Sequence, residues 1–190
     1  MSVRKLVERS RSYRRFYEDV PVDHETLRQL IDLARLSASG RNVQPLKYAI
    51  SCDQATNELV FPCLAWAGYL DDWDGPGEGE RPAAYIVIVN DRNISKSCGC
   101  DHGIAAQSIM LGAAEIGLGG CMIGSIQREK LGKVLGLEEH LEIILVLALG
   151  KPKEEVIIET IGPDGDIKYW RDAKGSHHVP KRALDDIVIS

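Results

Sequence analysis

Hydrophobic positions in this chain change period several times, and each change marks an element. Residues 3–9 read as a short opening helix. Val22 precedes Asp23, a residue type suited to a helix N-cap, and Leu27, Leu30, Ile31 and Ala34 follow at helical spacing. Val22 and Leu27 stand where a hydrophobic staple would place them. That helix is expected to end between Ser37 and Gly40, which leaves Ser39, Arg41, Asn42 and Gln44 in a polar loop. A first strand is predicted over 47–51. A fully buried one is predicted over 84–90, rich in Ile and Val and bounded by Pro82 and Asp91. Asp101 reads as the cap of a helix running to about Ile116, with Gly117 as its stop. Apolar residues fall on nearly every side of this helix, so it is expected to be buried all round, against its own subunit or another.

Further along, the pattern predicts a strand edge over 119–123, a helix over 127–135 ending at Gly136, and a buried strand over 142–150. Residues 156–161 and 167–171 flank Pro163-Asp164-Gly165-Asp166, a β-hairpin signal. The acidic, Gly- and Pro-containing stretch 71–82 reads as a loop. Helices and strands interleave, but the hairpin spoils a purely parallel sheet, so the expected class is α+β. A chain of 190 residues is most simply one domain, 1–190.

Composition narrows the function classes. Hydrophobic residues at 44% and charged residues at 27% describe an ordinary soluble globular protein. The net charge of −5 argues against nucleic acid as a partner. One local exception is the basic start, where Arg4, Lys5, Arg9, Arg11, Arg14 and Arg15 face only Glu8. The five cysteines are scattered and odd in number, which implies no disulfide framework and a reducing setting. No apolar run approaches the ~20 residues needed to span a bilayer, and the start lacks a signal-peptide core. A cytoplasmic protein with no membrane partner is expected.

Candidate chemistry lies in a few short runs. Arg11, Ser12 and Arg14 combine guanidinium forks with a hydroxyl, which suits a phosphate. A solvated basic helix or a membrane-surface patch would show the same residues. Ser39, Asn42 and Gln44 offer a hydroxyl and two amides, suited to the edge of a ring carrying donors and acceptors, or simply to a polar loop. The glycines of the run 117–124 follow a helix and open a strand, the reverse of a dinucleotide fingerprint; they suit close backbone approach to a ligand. Cys98-Gly99-Cys100-Asp101-His102 lacks the second ligand pair that a closed zinc site needs, so no metal site is expected. Near the end, Arg171, His177, His178, Lys181 and Arg182 form a second basic cluster, either a charged tail or a group that folds back on the phosphate.

Four of these features occur together and in order: Arg11-Ser12-x-Arg14-x-Phe16, Ser39-x-x-Asn42-x-Gln44-Pro45, Asp101-x-Gly103-x-Ala105-x-Gln107, and Gly117-Leu118-Gly119-x-Cys121-x-Ile123-Gly124. In this they resemble the nitroreductase family of FMN enzymes over about residues 3–150. Departures are Ser10 for the usual Arg, Ala38 for Pro, Leu46 for an aromatic and Ser125 for Gly. The resemblance implies a mixed central sheet flanked by helices, and an intertwined homodimer whose C-terminal extension (154–190, hairpin included) embraces the partner. It further implies FMN held at its phosphate by Arg11, Ser12 and Arg14, with Lys181 or Arg182 completing the cage. The Ser39–Gln44 loop (Ser39, Arg41, Asn42, Gln44), often from the other subunit, would contact the ring, and Ile123, Gly124 and Ser125 would reach its reactive side. The implied activity is transfer of hydride from NADH or NADPH, through FMN, to a small planar acceptor by a ping-pong scheme. Residues 71–82 are a candidate lid, and no side chain is assigned as catalytic. A non-catalytic flavin-binding module or redox sensor, or a specialised flavin enzyme such as a dehalogenase, would carry the same contacts.

Overall fold

The computed structural model describes residues 1–189. Its helices are α1 (Val3–Arg9), α2 (His24–Arg35), α3 (Gln54–Val60), α4 (Asp101–Glu115) and α5 (Arg128–Val134). Its strands are β1 (Phe16–Tyr17), β2 (Leu46–Ser51), β3 (Ala84–Asp91), β4 (Gly119–Ile123), β5 (Leu141–Pro152), β6 (Val156–Thr160), β7 (Trp170–Arg171) and β8 (His177–Lys181). A five-stranded sheet has the order β1-β5-β3-β2, with β4 also on β5.

Alternation along the central strands sorts their side chains into two cores. Ile86, Ile88, Leu147 and Leu149 pack with Leu27 and Leu30 of α2 and Ala106 and Ile109 of α4. Their neighbours Tyr85, Val87, Val146 and Ala148 face the opposite way, onto Val60 of α3, Leu131 of α5 and Trp66. Every residue of β3 is buried, which explains its unbroken apolar run. The Asp23 carboxylate accepts from the Thr26 N–H, capping α2 as predicted. Gly117, at φ 80°, ends α4: its N–H and that of Leu118 bond back to Ala114 and Ala113, a Schellman closure.

The structure corrects three expectations. The central sheet is not mixed: its β1–β5, β2–β3, β3–β5 and β4–β5 ladders are all antiparallel. A parallel pair needs a crossover that carries the chain to the opposite end of the sheet, whereas the connections through α3 and α5 leave and return at one end, with Ser51 opposite Tyr85 and Ile123 opposite Val146. Parallel register appears only in the single bridge Ser12–Gly120 and between β6 and β8, among the described residues. The hairpin is likewise overturned. Pro163 to Asp166 does turn, with the Gly165 N–H donating to the Gly162 carbonyl, but β8 takes the middle of the second sheet, in the order β6-β8-β7. The buried His177 on β8 makes that place the more favourable one.

Asp101 is the first residue of α4 rather than its cap; the cap position is Cys100, without a side-chain bond. The Asp101 carboxylate is committed elsewhere, as described below. Within a single subunit α4 leaves Gly103, Ile104, Gln107 and Glu115 exposed along one face, so only the burial that falls on its own subunit is seen. Helix α3 and strands β1 and β8 were not legible in the sequence pattern.

Candidate functional site

The turn after α1 carries Arg11, Ser12 and Arg14. Tyr13 seats it: its backbone N–H donates to the Gly120 carbonyl at 2.9 Å, and its hydroxyl to the Arg9 carbonyl at 3.1 Å. Gly119 makes this contact possible, because a Cβ there would lie 2.5 Å from the Tyr13 ring. Arg11, Ser12, Arg14 and Lys181 line one cavity of ≈ 360 Å³, together with Gln107 of α4 and His177. Among the described residues, no carboxylate lines that cavity.

Arg14 is buried, and its contacts divide its guanidinium in two. Nη1 donates to the Ser12 carbonyl at 3.2 Å and meets His177 Nε2 at 3.0 Å. Since a guanidinium only donates, that imidazole nitrogen accepts, and the ring proton sits on Nδ1. Burial, reinforced by the charges of Arg14 and Arg171, pushes the His177 pKa down to about 4, so the ring is neutral at ordinary pH. The Tyr169 ring stacks 4.5 Å from the guanidinium. Nε is buried without a partner. Arg11 shows the same pattern: Nη2 donates to the Val7 carbonyl at 2.7 Å, while Nε is buried and unpaired. Unpaired buried donors on two arginines are costly unless an acceptor arrives, which fits an anion.

Beneath the turn lies Glu154, whose side chain is fully buried. Its carboxylate accepts from the Arg14 backbone N–H and, at 3.2 Å, from that of Arg15; its other oxygen pairs with Arg171 at 2.9 Å. Arg15 points away, gripping Glu80 through Nε at 2.5 Å and Nη2 at 2.6 Å. That bidentate bond, with Lys153 assisting, holds the Glu80 pKa down to about 2.

A second cavity of ≈ 210 Å³ adjoins the first, sharing Arg14 and Met122 with it. Ile123, Gly124 and Ser125, just past the end of β4, line it opposite Trp66, Ala67 and Gly68. A Cβ on Gly124 would meet nothing within 4 Å, so the backbone there is open. Gly119 and Gly120, by contrast, serve packing, against Tyr13 and the Ala148 carbonyl.

The Ser39–Gln44 loop does not reach these cavities. Ser39 and Gln44 line a separate one of ≈ 190 Å³ with Asp101, and Arg41 another of ≈ 320 Å³ beside Cys98. Arg41, Asn42 and Gln44 have φ of 51°, 58° and 52°. Such left-handed conformations cost roughly 1–2 kcal/mol each in residues other than glycine. Asp101 holds the loop in place: its carboxylate accepts from Ser39 Oγ at 2.6 Å and from the Gly40 N–H at 2.9 Å. Ser39 Oγ also accepts from the Gln44 N–H at 2.9 Å. Clustered strain of this kind, fixed by a buried carboxylate, is typical of ligand-contacting segments. Arg182 is exposed and does not line the phosphate-side cavity; Lys181 does. Sequence reasoning placed His177 in a basic cluster that could fold back on the turn, but missed Glu154, the contact of His177 with Arg14 and the anchoring role of Asp101, because no local pattern points to these partners.

On this α+β fold, a turn rich in unpaired guanidinium donors lies beside open backbone, and a strained amide-bearing loop stands apart from both. The chain belongs to the nitroreductase family, whose model matches residues 7–68 and 80–151. A curated relative in Archaeoglobus fulgidus, named "Putative NADH dehydrogenase/NAD(P)H nitroreductase", is 26% identical over 159 residues, covering 80% of this chain and 86% of its own. Among solved structures, an FMN-dependent nitroreductase from Clostridium difficile aligns with a TM-score of 0.66 at 22% identity, covering 79% of this chain and 87% of that one. The NADPH:FMN oxidoreductase of Vibrio harveyi, complexed with NAD+, aligns at 0.62 and 22% identity, covering 78% and 68%. The curated homologues' names support an oxidoreductase. No helix among the described residues is long and apolar enough to cross a membrane.

Proposed function

We propose that this protein is an FMN-dependent oxidoreductase that draws on NADH or NADPH and reduces a small planar acceptor, such as a nitroaromatic or a quinone. The observation that carries this reading is the pair of adjoining cavities. One is lined by Arg11, Ser12, Arg14 and Lys181 with unpaired buried guanidinium nitrogens, and the other by the open backbone at Ile123–Ser125. The names of the Clostridium and Vibrio proteins support FMN and a nicotinamide reductant.

When bound, FMN would supply the centre that accepts and passes on hydride. The three cations match a phosphate charge near −2, and the Ser12 hydroxyl adds a directional bond. The backbone around Gly124 would stabilise negative charge on the reduced ring. No side chain is assigned as acid or base, because water can supply the proton. Ser39, Arg41 and Gln44 line cavities apart from the phosphate turn, so we assign their loop, with Asn42, to the site of a second copy of the chain. The exposed face of α4, with Ile104 and Gln107, supports such a homodimer. Residues 71–82 act as a lid within a single domain 1–190. The neighbouring Tyr69 packs on Tyr169 at 5.0 Å, and Trp73 lies under Arg171 at 4.3 Å.

The test is direct. Purified protein loaded with FMN should bleach when mixed anaerobically with NADH or NADPH, and steady-state plots against acceptor should be parallel. A protein that binds flavin yet bleaches with neither nucleotide would instead be a binding module. One that binds no flavin would end the proposal.

A further inference from the structure

Adjacent arginines use the same chemical group in opposite ways. Arg15 spends its Nε–Nη2 edge, the side of the guanidinium that offers two parallel N–H bonds, on Glu80. Arg14 leaves that edge without a partner among the described residues, because its contacts all fall on Nη1. Which edge is left over is decided by two buried groups from the far end of the chain. His177 accepts at Nη1, 163 residues away in sequence, and Glu154 receives the backbone N–H groups of Arg14 and Arg15. Both lie beyond residue 151, where the family model's match ends.

We infer that Glu154 and His177 are positioning residues that aim the free Nε–Nη2 edge of Arg14 at a terminal phosphate, so that the C-terminal module sets this site's preference for a phosphorylated flavin. The inference deepens the FMN reading and rests on it. Glu154 fixes where the Arg14 backbone sits, and Arg171 at 2.9 Å balances its buried charge. His177 fixes the rotation of the guanidinium, while the Tyr169 ring at 4.5 Å supports its face. Lys181, four residues after His177 on β8, enters the same cavity. Thus one strand delivers both the group that aims the arginine and a cation for the same anion. A neutral imidazole suits this task, because it accepts from a guanidinium without competing for the anion.

The experiment compares FMN with riboflavin, which lacks the phosphate, on flavin-stripped protein followed by flavin fluorescence. His177→Phe keeps the buried ring and removes the acceptor. FMN affinity should fall by about tenfold or more, riboflavin affinity should hold, and His177→Gln, whose amide oxygen can accept, should restore part of the loss. Glu154→Gln serves as the second variant and should shift the same ratio. A fall in both affinities together, or in neither, would overturn the inference. Wild-type protein that binds neither flavin would fail the functional proposal itself, a separate outcome.

Discussion

The turn at residues 11–14 and the loop at 39–44 are similar in length and polarity, yet the fold holds them by opposite means. The turn has no residue at positive φ; it is relaxed in itself and fixed by partners about 140 and 163 positions away. The loop contains three left-handed residues and is held by its own Ser39 and by one carboxylate, Asp101, 61 positions on. A relaxed segment with distant braces depends on the completeness of the fold. A strained segment with a near anchor depends on a single side chain.

That contrast can be broken at each side. The largest effect is expected from Arg11→Ala with Arg14→Ala, which removes two charge-assisted contacts and should weaken FMN binding by about 4 kcal/mol, close to a thousandfold. The folded state should survive, and titration of flavin fluorescence reads the loss. Asp101→Ala should cost about 3 kcal/mol of stability, since two donors lose a buried charged acceptor. Urea denaturation checks it, and hydrogen exchange should show the loop amides opening while the amide of Tyr13 stays protected.

A finer test uses glycine in both places. Arg41→Gly, at φ 51°, should stabilise the fold by up to about 1 kcal/mol, because glycine accepts that conformation without strain. Ser12→Gly, with no such strain to relieve, should destabilise by about 0.5–1 kcal/mol. Equal signs for the two would dissolve the comparison.

A further test varies acidity. His177 has a folded pKa of about 4 against 6.5 for a free imidazole. A depressed value means the unfolded chain takes up the proton first, so this contribution is complete above pH 6.5 and is lost as pH falls toward 4. The urea midpoint should therefore decline across that window in wild type and less steeply in His177→Phe.

Much of the fold is written in local pattern. The bounds of α1 and β4, the cap at Asp23 and the stop at Gly117 are set by neighbours within a few residues, so periodicity and cap chemistry reveal them. Of the candidate site, Arg11, Ser12, Arg14 and Lys181 do converge on one cavity, and Ile123–Ser125 on the next. What the pattern hid depends on distance. Asp101 has the chemistry of a cap and stands at the mouth of a helix, but its partners lie in another loop. Glu154 reads as one acid in a charged stretch, although its side chain is fully buried. Strand β8 was missed because His177-His178-Val179-Pro180 shows no alternation, and its place is set by Arg14 and Glu155 rather than by its own sequence.

Strand β8 follows β6 and β7 in sequence yet lies between them in their sheet. On the ribosome the arginine turn therefore emerges well ahead of its brace, since His177 lies 163 positions after Arg14. Until residue 181 has emerged from the exit tunnel, β6 and β7 have nothing between them and Arg14 has no fixed aim. On the proposed reading, a chain truncated before β8 should therefore fail to retain a phosphate-bearing ligand.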